Sequence, residues 1–369
     1  MVWSFLYITG SINLLFIAFV ILNIENGKKS ANRILAFLFF LWSWGFFYTW
    51  IIETSAYLDA PHLILAGAPN TFLMGPCIYL YAKHLITPGI KFSKKNLFHG
   101  IPFFVHFLYL IPFYAQSAIS KIEYWEEGRA DDLSFYGIVV LQILHLFIYL
   151  VSVLKLLYLH KGNVRKTHSS LSRVNLSWLS NISAAFLAGL VFFTAAMLWF
   201  FYKGIDGVYI NRVSDVFNLV LIHFTGYRGL TQAEIFRVES PVPEKYRKSS
   251  LSSEDMADIV NRLREHMLKE NAFLDSELTL QQLSLDTGIP SHHITQALNQ
   301  GVGLNFYEFV NRFRVEYACK LISRIKEEKR TFIEIAFLSG FNSKSTFNTL
   351  FRDYCGMTPS QYKKNINPQ

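Results

Sequence analysis

Charge is scarce in this 369-residue chain. Asp, Glu, Lys and Arg together make up 17% of it, where a soluble domain carries about 25%. The deficit lies almost entirely in the first 226 residues, and the chain as a whole is 51% hydrophobic, with 34 Phe, 19 Tyr and 7 Trp. That excludes a chain that is water-facing throughout. Cysteine is scarcer still. Cys77, Cys319 and Cys355 are odd in number and far apart in sequence, which excludes a disulfide framework and a cysteine metal site of ordinary spacing. No GxSxG, HExxH, GxxxxGK[ST] or GxGxxG occurs, so the enzyme classes built on those motifs have no footing. No Lys or Arg precedes Lys28. A cleavable signal peptide needs such a basic region, so the first apolar run is expected to stay as a membrane span.

What is present is a series of apolar runs about 20 residues long, the length that crosses a hydrocarbon core of about 30 Å. They lie at roughly 3–23, 34–54, 62–81, 96–115, 136–158 and 180–201, with a weaker seventh at 208–226. The connections after runs one, three and five hold Lys28, Lys29, Arg33, Lys83, Lys91, Lys94, Lys95, Lys161, Arg165, Lys166 and Arg173, whereas those after two, four and six hold only Lys121, Arg129 and Lys203. The connection after run four is also acidic, with Glu123, Glu126, Glu127, Asp131 and Asp132. Basic loops stay in the cytoplasm, which predicts an outside N-terminus. Parity then matters, because six spans would leave the C-terminal part outside and seven would leave it in the cytoplasm. The net charge of +8 points to anionic partners, lipid headgroups or phosphates.

Ionisable residues inside apolar runs are functional-site candidates by default. Asp215 and Asn218 share a face of the seventh run, and His106, His145 and His223 lie on runs four, five and seven. They form the candidate sensing set. The competing reading is that they make ordinary interhelical hydrogen bonds. Three histidines could hold a metal or haem, but no HxxxH or CxxC spacing accompanies them, so no metal and no cofactor is expected. Gly75–Pro76 within "MGPCIYLY" should kink the third run. The outside loops are too short to form a binding domain, so a signal would be read by the bundle, its rim or a partner.

The last third of the chain has a different texture. Pro241, Pro243 and a serine cluster within Ala233–Leu251 read as a linker. Met256, Ile259, Val260, Leu263 and Met267 then recur at helical spacing, with Ser252 and Asp255 placed to cap. Thr279 with Gln282 marks a second helix, ended by Gly288, and Pro290–Gln300 a third with Ile294, Ala297 and Leu298 inward. Asn305 with Glu308 opens a long helix to about 328, carrying Phe306, Phe309, Val310, Phe313, Tyr317 and Leu321 on one side. Thr331 with Glu334 opens another, which turns at Gly340. A final helix follows with Phe347, Leu350, Phe351 and Tyr354 inward. This is two helix-turn-helix patterns in tandem. Their outward residues are His292, Thr295, Gln296 and Asn299 in the first, and Lys344, Ser345, Asn348, Thr349 and Arg352 in the second. Amides and hydroxyls suit base edges and cations suit phosphates. The connecting helix, about 34 Å if it runs from 305 to 328, would set the two readers one DNA turn apart.

The stretch "IEIAFLSGFNSKSTFNTLFRDYCGMTPSQYKK", Ile333–Lys364, resembles the signature of the AraC/XylS family of transcription regulators, and the resemblance runs from Leu278 to Lys364. It implies that His292, Thr295 and Gln296 read DNA in the first unit and Lys344, Ser345 and Thr349 in the second. The sequence departs from the family where Gln296 replaces a common Arg, Asn299–Gln300 a common Lys, and Pro290 a common capping Ser. "NFYEFVNRFRVEYA" and "MGPCIYLYAK" together resemble a membrane-anchored branch with a multi-span sensor.

The expected fold is all-α: a seven-helix transmembrane bundle over 1–226, a linker over 227–252, and a tandem helix-turn-helix domain over 253–369. Its two units lie at about 279–300 and 331–354, joined by the helix at about 305–328. The expected role is a one-component regulator in a bacterial cytoplasmic membrane that binds double-stranded promoter DNA. Its partners would be the lipid bilayer, an unidentified small-molecule or membrane ligand, RNA polymerase and a second copy of the chain. The alternative is a transporter or intramembrane enzyme with a regulatory tail.

Overall fold

The computed structural model describes residues 1–24, 29–87, 90, 92–127, 133–170, 176–205, 207–232, 251–323 and 330–366. Lys28, Lys91, Arg129, Asp131, Asp132 and Arg173 of the charge bias, residues 233–250 of the expected linker and 324–328 of the connecting helix lie outside the described residues. Every regular element described is a helix or a helical turn. The chain divides into two compact units. One comprises Met1–Tyr158 with Leu176–Pro241. The other comprises Leu159–Asn175 with Val242–Gln369.

In the first unit the apolar runs form α1 (Val2–Leu22), α2 (Lys29–Glu53), α3 (Thr71–Ile86), α4 (Ile101–Tyr114), most of α6 (Leu133–Val164), α7 (Ser177–Lys203) and α8 (Val208–Gln232). Among the described residues six segments are long and apolar enough to cross a membrane. The seventh run does form a helix of 25 residues, about 37 Å long, but Asn211, Arg212, Asp215 and Asn218 keep it out of the six. The third run is helical only from Thr71, with short 3-10 turns before it. An unforeseen helix, α5 (Ala118–Glu126), follows α4. It buries Lys121, whose ammonium donates to the Tyr114 carbonyl at 2.8 Å and lies 2.7 Å from His62 Nδ1.

The packing of this unit follows rules for helices without water between them. Ser11 and Ser43 exchange hydroxyl-to-carbonyl bonds of 2.9 and 2.8 Å, joining α1 to α2. Gly226 and Gly229, three apart on one face of α8, let that helix lie against Phe39 and Leu35 of α2. A methyl group at either would come within 3.1 or 2.7 Å of those rings and methyls. Small residues at such contacts allow the close approach on which dispersion depends. Pro76 lies inside α3 as expected. Gly75 beside it is needed for space, since a Cβ there would sit 2.9 Å from Tyr149 Cβ. The outer surfaces of α1, α4, α6 and α7 expose large apolar side chains, among them Phe16, Phe104, Ile148, Phe192 and Leu198.

In the second unit the helices are α9 (Ser253–Lys269), α10 (Leu280–Thr287), α11 (Ser291–Gln296), α12 (Phe306–Ser323), α13 (Phe332–Leu338), α14 (Lys344–Cys355) and α15 (Pro359–Ile366). Two apolar cores share α12. Its first half supplies Phe306, Phe309 and Val310 to a core with Leu263, Met267, Leu283, Ile294 and Leu298. Its second half supplies Val315, Ala318 and Ile322 to a core with Ile335, Ala336, Phe347 and Phe351. The 18 described residues of α12 span about 27 Å. Cys319 and Cys355, far apart in sequence, are brought to 3.7 Å by α12 and α14. Burial, with Cys355 beside it, pushes the Cys319 thiol up to about 12.

Candidate nucleic-acid interface

Each half of the second unit is a helix, a glycine turn and a second helix. In the first half Thr279 accepts from the Gln282 N–H and so caps α10. The Gln282 side chain turns instead to Asp286, which leaves the expected capping box half made. Gly288 ends α10 at φ +69°, a left-handed conformation that costs a residue with a Cβ. The second half is capped more fully. The Thr331 hydroxyl accepts from the Glu334 N–H while the Glu334 carboxylate accepts from Thr331. The Thr331 N–H and hydroxyl, both donating to that carboxylate, hold the Glu334 carboxyl below its usual range. Gly340 makes the turn at φ +82°, where a Cβ would lie 2.6 Å from the Phe273 carbonyl oxygen.

Helix α14 sorts its residues as expected. Phe347 and Phe351 are fully buried, and Leu350 packs beside them. Tyr354 differs. It is 39% exposed and is anchored through its hydroxyl, which donates to the Glu308 carbonyl at 2.9 Å. Lys344, Ser345, Asn348, Thr349 and Arg352 are all exposed, and 344, 348 and 352 follow one another at the i, i+4 spacing of a single face. Ser343 accepts from the Thr346 N–H at 3.2 Å and fixes the start of the helix.

Helix α11 presents its set less uniformly. His292 and Asn299 are exposed, whereas Thr295 and Gln296 are half-buried. The Thr295 hydroxyl donates to the Ser291 carbonyl, and the Gln296 amide donates to Gln300 Oε1 at 3.1 Å. The expected helix to Gln300 ends at Gln296 and widens into a π turn over Ala297–Gly301. An i+5 turn carries more residues than an α turn, so Asn299 leaves the register of His292, Thr295 and Gln296.

Sequence reasoning missed a buried cation at the middle of α12. Arg314 is 1% exposed. It donates from Nε to the Phe273 carbonyl, from Nη1 to the Ser169 carbonyl and Asn311 Oδ1, and from Nη2 to Ser169 Oγ and the Asp275 carbonyl, all between 2.7 and 3.1 Å. Burial lowers its pKa to about 10, which still leaves it a cation at neutral pH. A signal was present, because residue 314 stands four after Val310 and four before Ala318, on the buried stripe.

Residues 272–365 match the family described as "Helix-turn-helix domain". That part of the chain is a helix-turn-helix domain. Among proteins similar to the chain are an uncharacterized HTH-type transcriptional regulator of Staphylococcus aureus strain COL and one of strain MSSA476. Each is 29% identical over 122 residues, which is 33% of this chain and 15% of the relative. The Melibiose operon regulatory protein of Escherichia coli is 24% identical over 90 residues, 24% of this chain and 29% of that one. The chain thus spans about 15% of the length of the first of these relatives. No solved structure matches the chain. The helix-turn-helix domain holds all nine residues expected to read DNA, on α11, the π turn after it, and α14.

The candidate sensing residues of the first unit fall into separate places. Asp215 is half-buried and accepts from the Tyr7 hydroxyl at 2.8 Å. One turn earlier Arg212 pairs with Glu53 at 2.7 Å. Asn218 donates to Ser214 and His223 bonds the Leu219 carbonyl, both within α8. His106 and His145 stand edge-on to Phe72, with ring centroids 5.7 and 5.3 Å away. Among the described residues no three His, Cys, Asp or Glu groups are placed to hold a metal ion.

Proposed function

We infer that this chain is a membrane-bound one-component transcription regulator. One observation carries the DNA-binding part. The outer face of α14 offers two cations, two hydroxyls and an amide to solvent, while its inner face is fixed by fully buried Phe347 and Phe351. A rigid helix with small polar groups between cations fits a major groove. Two of the relatives are HTH-type transcriptional regulators, which agrees with this reading, and α11 is assigned the second groove. Promoter DNA is the proposed partner, with RNA polymerase and a second copy of the chain as further ones.

The membrane part rests on the apolar side chains exposed along α1, α4, α6 and α7, which water would not tolerate over so wide an area. We assign α8 as the seventh span. Asp215, Arg212, Asn218 and His223 are matched by Tyr7, by Glu53 and within the helix, and matching of this kind lets a polar helix cross lipid. On this reading the N-terminus is outside and the helix-turn-helix domain in the cytoplasm. The signal would be read in the bundle, with Asp215 and Tyr7 the first residues to test.

The test uses the full chain in nanodiscs and a pool of random duplexes. Selection should recover a site with two half-sites about 10 bp apart. Changing Lys344 and Arg352 together to Ala should abolish recovery. Recovery of no sequence by the unaltered chain would overturn the reading.

A further inference from the structure

The second unit includes a short segment, residues 165–170, that precedes residue 272 by more than a hundred positions. They follow α6 directly and lie outside the 272–365 match. His168 forms an antiparallel bridge with Thr279. The Ser169 N–H and hydroxyl both donate to the Leu278 carbonyl, at 3.1 and 2.6 Å. The Leu280 N–H donates to the Thr167 carbonyl at 2.9 Å, and the Tyr307 N–H to the Arg165 carbonyl at 3.0 Å. Leu280 and Tyr307 stand in the first turns of α10 and α12, where N–H groups have no partner within their helix. Residues 165–170 therefore finish the caps of two helices.

The same segment completes a buried cation. Two of the five bonds from the Arg314 guanidinium end on Ser169, and Asn311 donates to the Ser169 carbonyl as well. The other partners of Arg314 are backbone carbonyls and an amide oxygen. An ionised group at 1% exposure is tolerated only when its donors are used. Without Ser169 two of them would face apolar surroundings. The segment also reaches the second helix-turn-helix unit, because Asn342, just before α14, donates to Ser170 Oγ at 3.2 Å. One short strand of chain thus touches the entry of α10, the entry of α12 and the turn before α14.

We propose that residues 165–170 are the input segment of the DNA-binding domain, a built-in ligand of the groove between α10, α12 and Arg314. While seated it holds the two reading units in one relative placement. When it is withdrawn the units separate and the paired half-sites are no longer matched. Residues 165–170 are covalently continuous with α6, so any axial shift or rotation of that helix acts on the segment first. The domain needs no separate messenger.

This rests on the DNA-binding reading, so its test has an arm that needs no DNA. The full chain in nanodiscs is compared with Ser169→Pro, which removes the N–H and the hydroxyl that seat the segment and leaves 251–366 unaltered. Amide exchange at Leu280 and Tyr307 should speed up by at least about tenfold, the factor that corresponds to one or two lost hydrogen bonds. Val310, inside the core, should keep its protection. Affinity for the two-half-site duplex should fall by about tenfold, and affinity for a single half-site should change little. Unchanged exchange at Leu280 and Tyr307 would overturn the seating. Faster exchange with unchanged preference for paired sites would overturn the control. Should Val310 also lose protection, Asn342→Ala decides, since it removes the bond from the segment to the second helix-turn-helix unit and leaves Ser169 in place. A loss of paired-site preference of about threefold supports the proposal, and none refutes it. If the unaltered chain binds no duplex, the DNA-binding reading fails while the exchange arm still decides the seating.

Discussion

The Tyr7 hydroxyl donates to Asp215 Oδ2 over 2.8 Å and so joins α1 to α8. Trp3 and Phe46 lie next to Tyr7, and Asp215 is half-buried. A carboxylate in such surroundings depends on its donor. Tyr7→Phe should therefore cost about 1–3 kcal/mol in the stability of the first unit, read as a lower thermal midpoint of the full chain in detergent. Asp215→Asn keeps an oxygen that can accept and should cost less than Asp215→Ala. In a promoter reporter Tyr7→Phe and Asp215→Ala should alter the response together at normal membrane levels. A response unchanged in both would remove this pair from the sensing role.

Two glycines that turn the helix-turn-helix units should respond differently to the same change. Gly288 has positive φ but open space around its Cβ position, whereas Gly340 has positive φ and the Phe273 carbonyl oxygen 2.6 Å away. Gly288→Ala should cost about 1–2 kcal/mol, the left-handed penalty alone. Gly340→Ala adds a backbone clash and should cost clearly more. Denaturant midpoints followed by loss of DNA binding will rank the two. Equal midpoints would mean that the turn at 340 relaxes freely.

These turns show what was readable in the sequence. Glycine after an apolar period, and Ser or Thr three before an acid, report local geometry. The boxes at Ser252–Asp255 and Thr331–Glu334 form as such patterns require, and the buried face of α14 follows its i, i+3, i+4 spacing. The docked segment was not readable. Ser169 meets Leu278 across 109 positions, and no local period encodes that pairing. Arg314 was hidden for the same reason, because its partners are backbone carbonyls and Ser169, brought in by the tertiary fold. The π turn after Gln296 and the helix at Ala118–Glu126 carried no clear signature either. The seventh apolar run was legible as a helix, but the partners of its Asp215 and Arg212 in α1 and α2 were not.

Acid should weaken the capping boxes. The Ser252 hydroxyl and N–H hold the Asp255 carboxyl below its usual range, and the Thr331 N–H does the same for Glu334. For a carboxyl lowered in the folded state, the stabilisation is present above the unfolded value of about 4 and is lost as pH falls through the folded one. Carboxyl-carbon NMR titration should place both midpoints below those of unstructured Asp and Glu. Ser252→Ala should raise the Asp255 midpoint and leave that of Glu334 in place. A common shift of both would point to a long-range field instead of the caps.

The two reading helices should divide their work. Arg352 is an exposed cation on α14 and is proposed to contact phosphate. A phosphate contact adds affinity with little regard to sequence and steepens the salt dependence by about 0.9 in the logarithmic slope. Arg352→Ala should therefore weaken all duplexes alike and flatten the slope by about that amount. Gln296 carries no charge, and its amide is already bonded to Gln300. To read a base edge it must exchange that partner, so part of its binding energy is offset and discrimination carries what is left. Gln296→Ala should cost little on average, relax specificity at one or two base pairs by up to about 1–3 kcal/mol, and leave the slope unchanged. Gln300→Ala should free the amide and sharpen discrimination at the same base pairs. Binding of the full chain to single-base variants of the selected site, at several salt concentrations, separates these effects. The same pattern from Arg352→Ala and Gln296→Ala would refute the division, and no effect from either would show that α11 and α14 are not the reading surface.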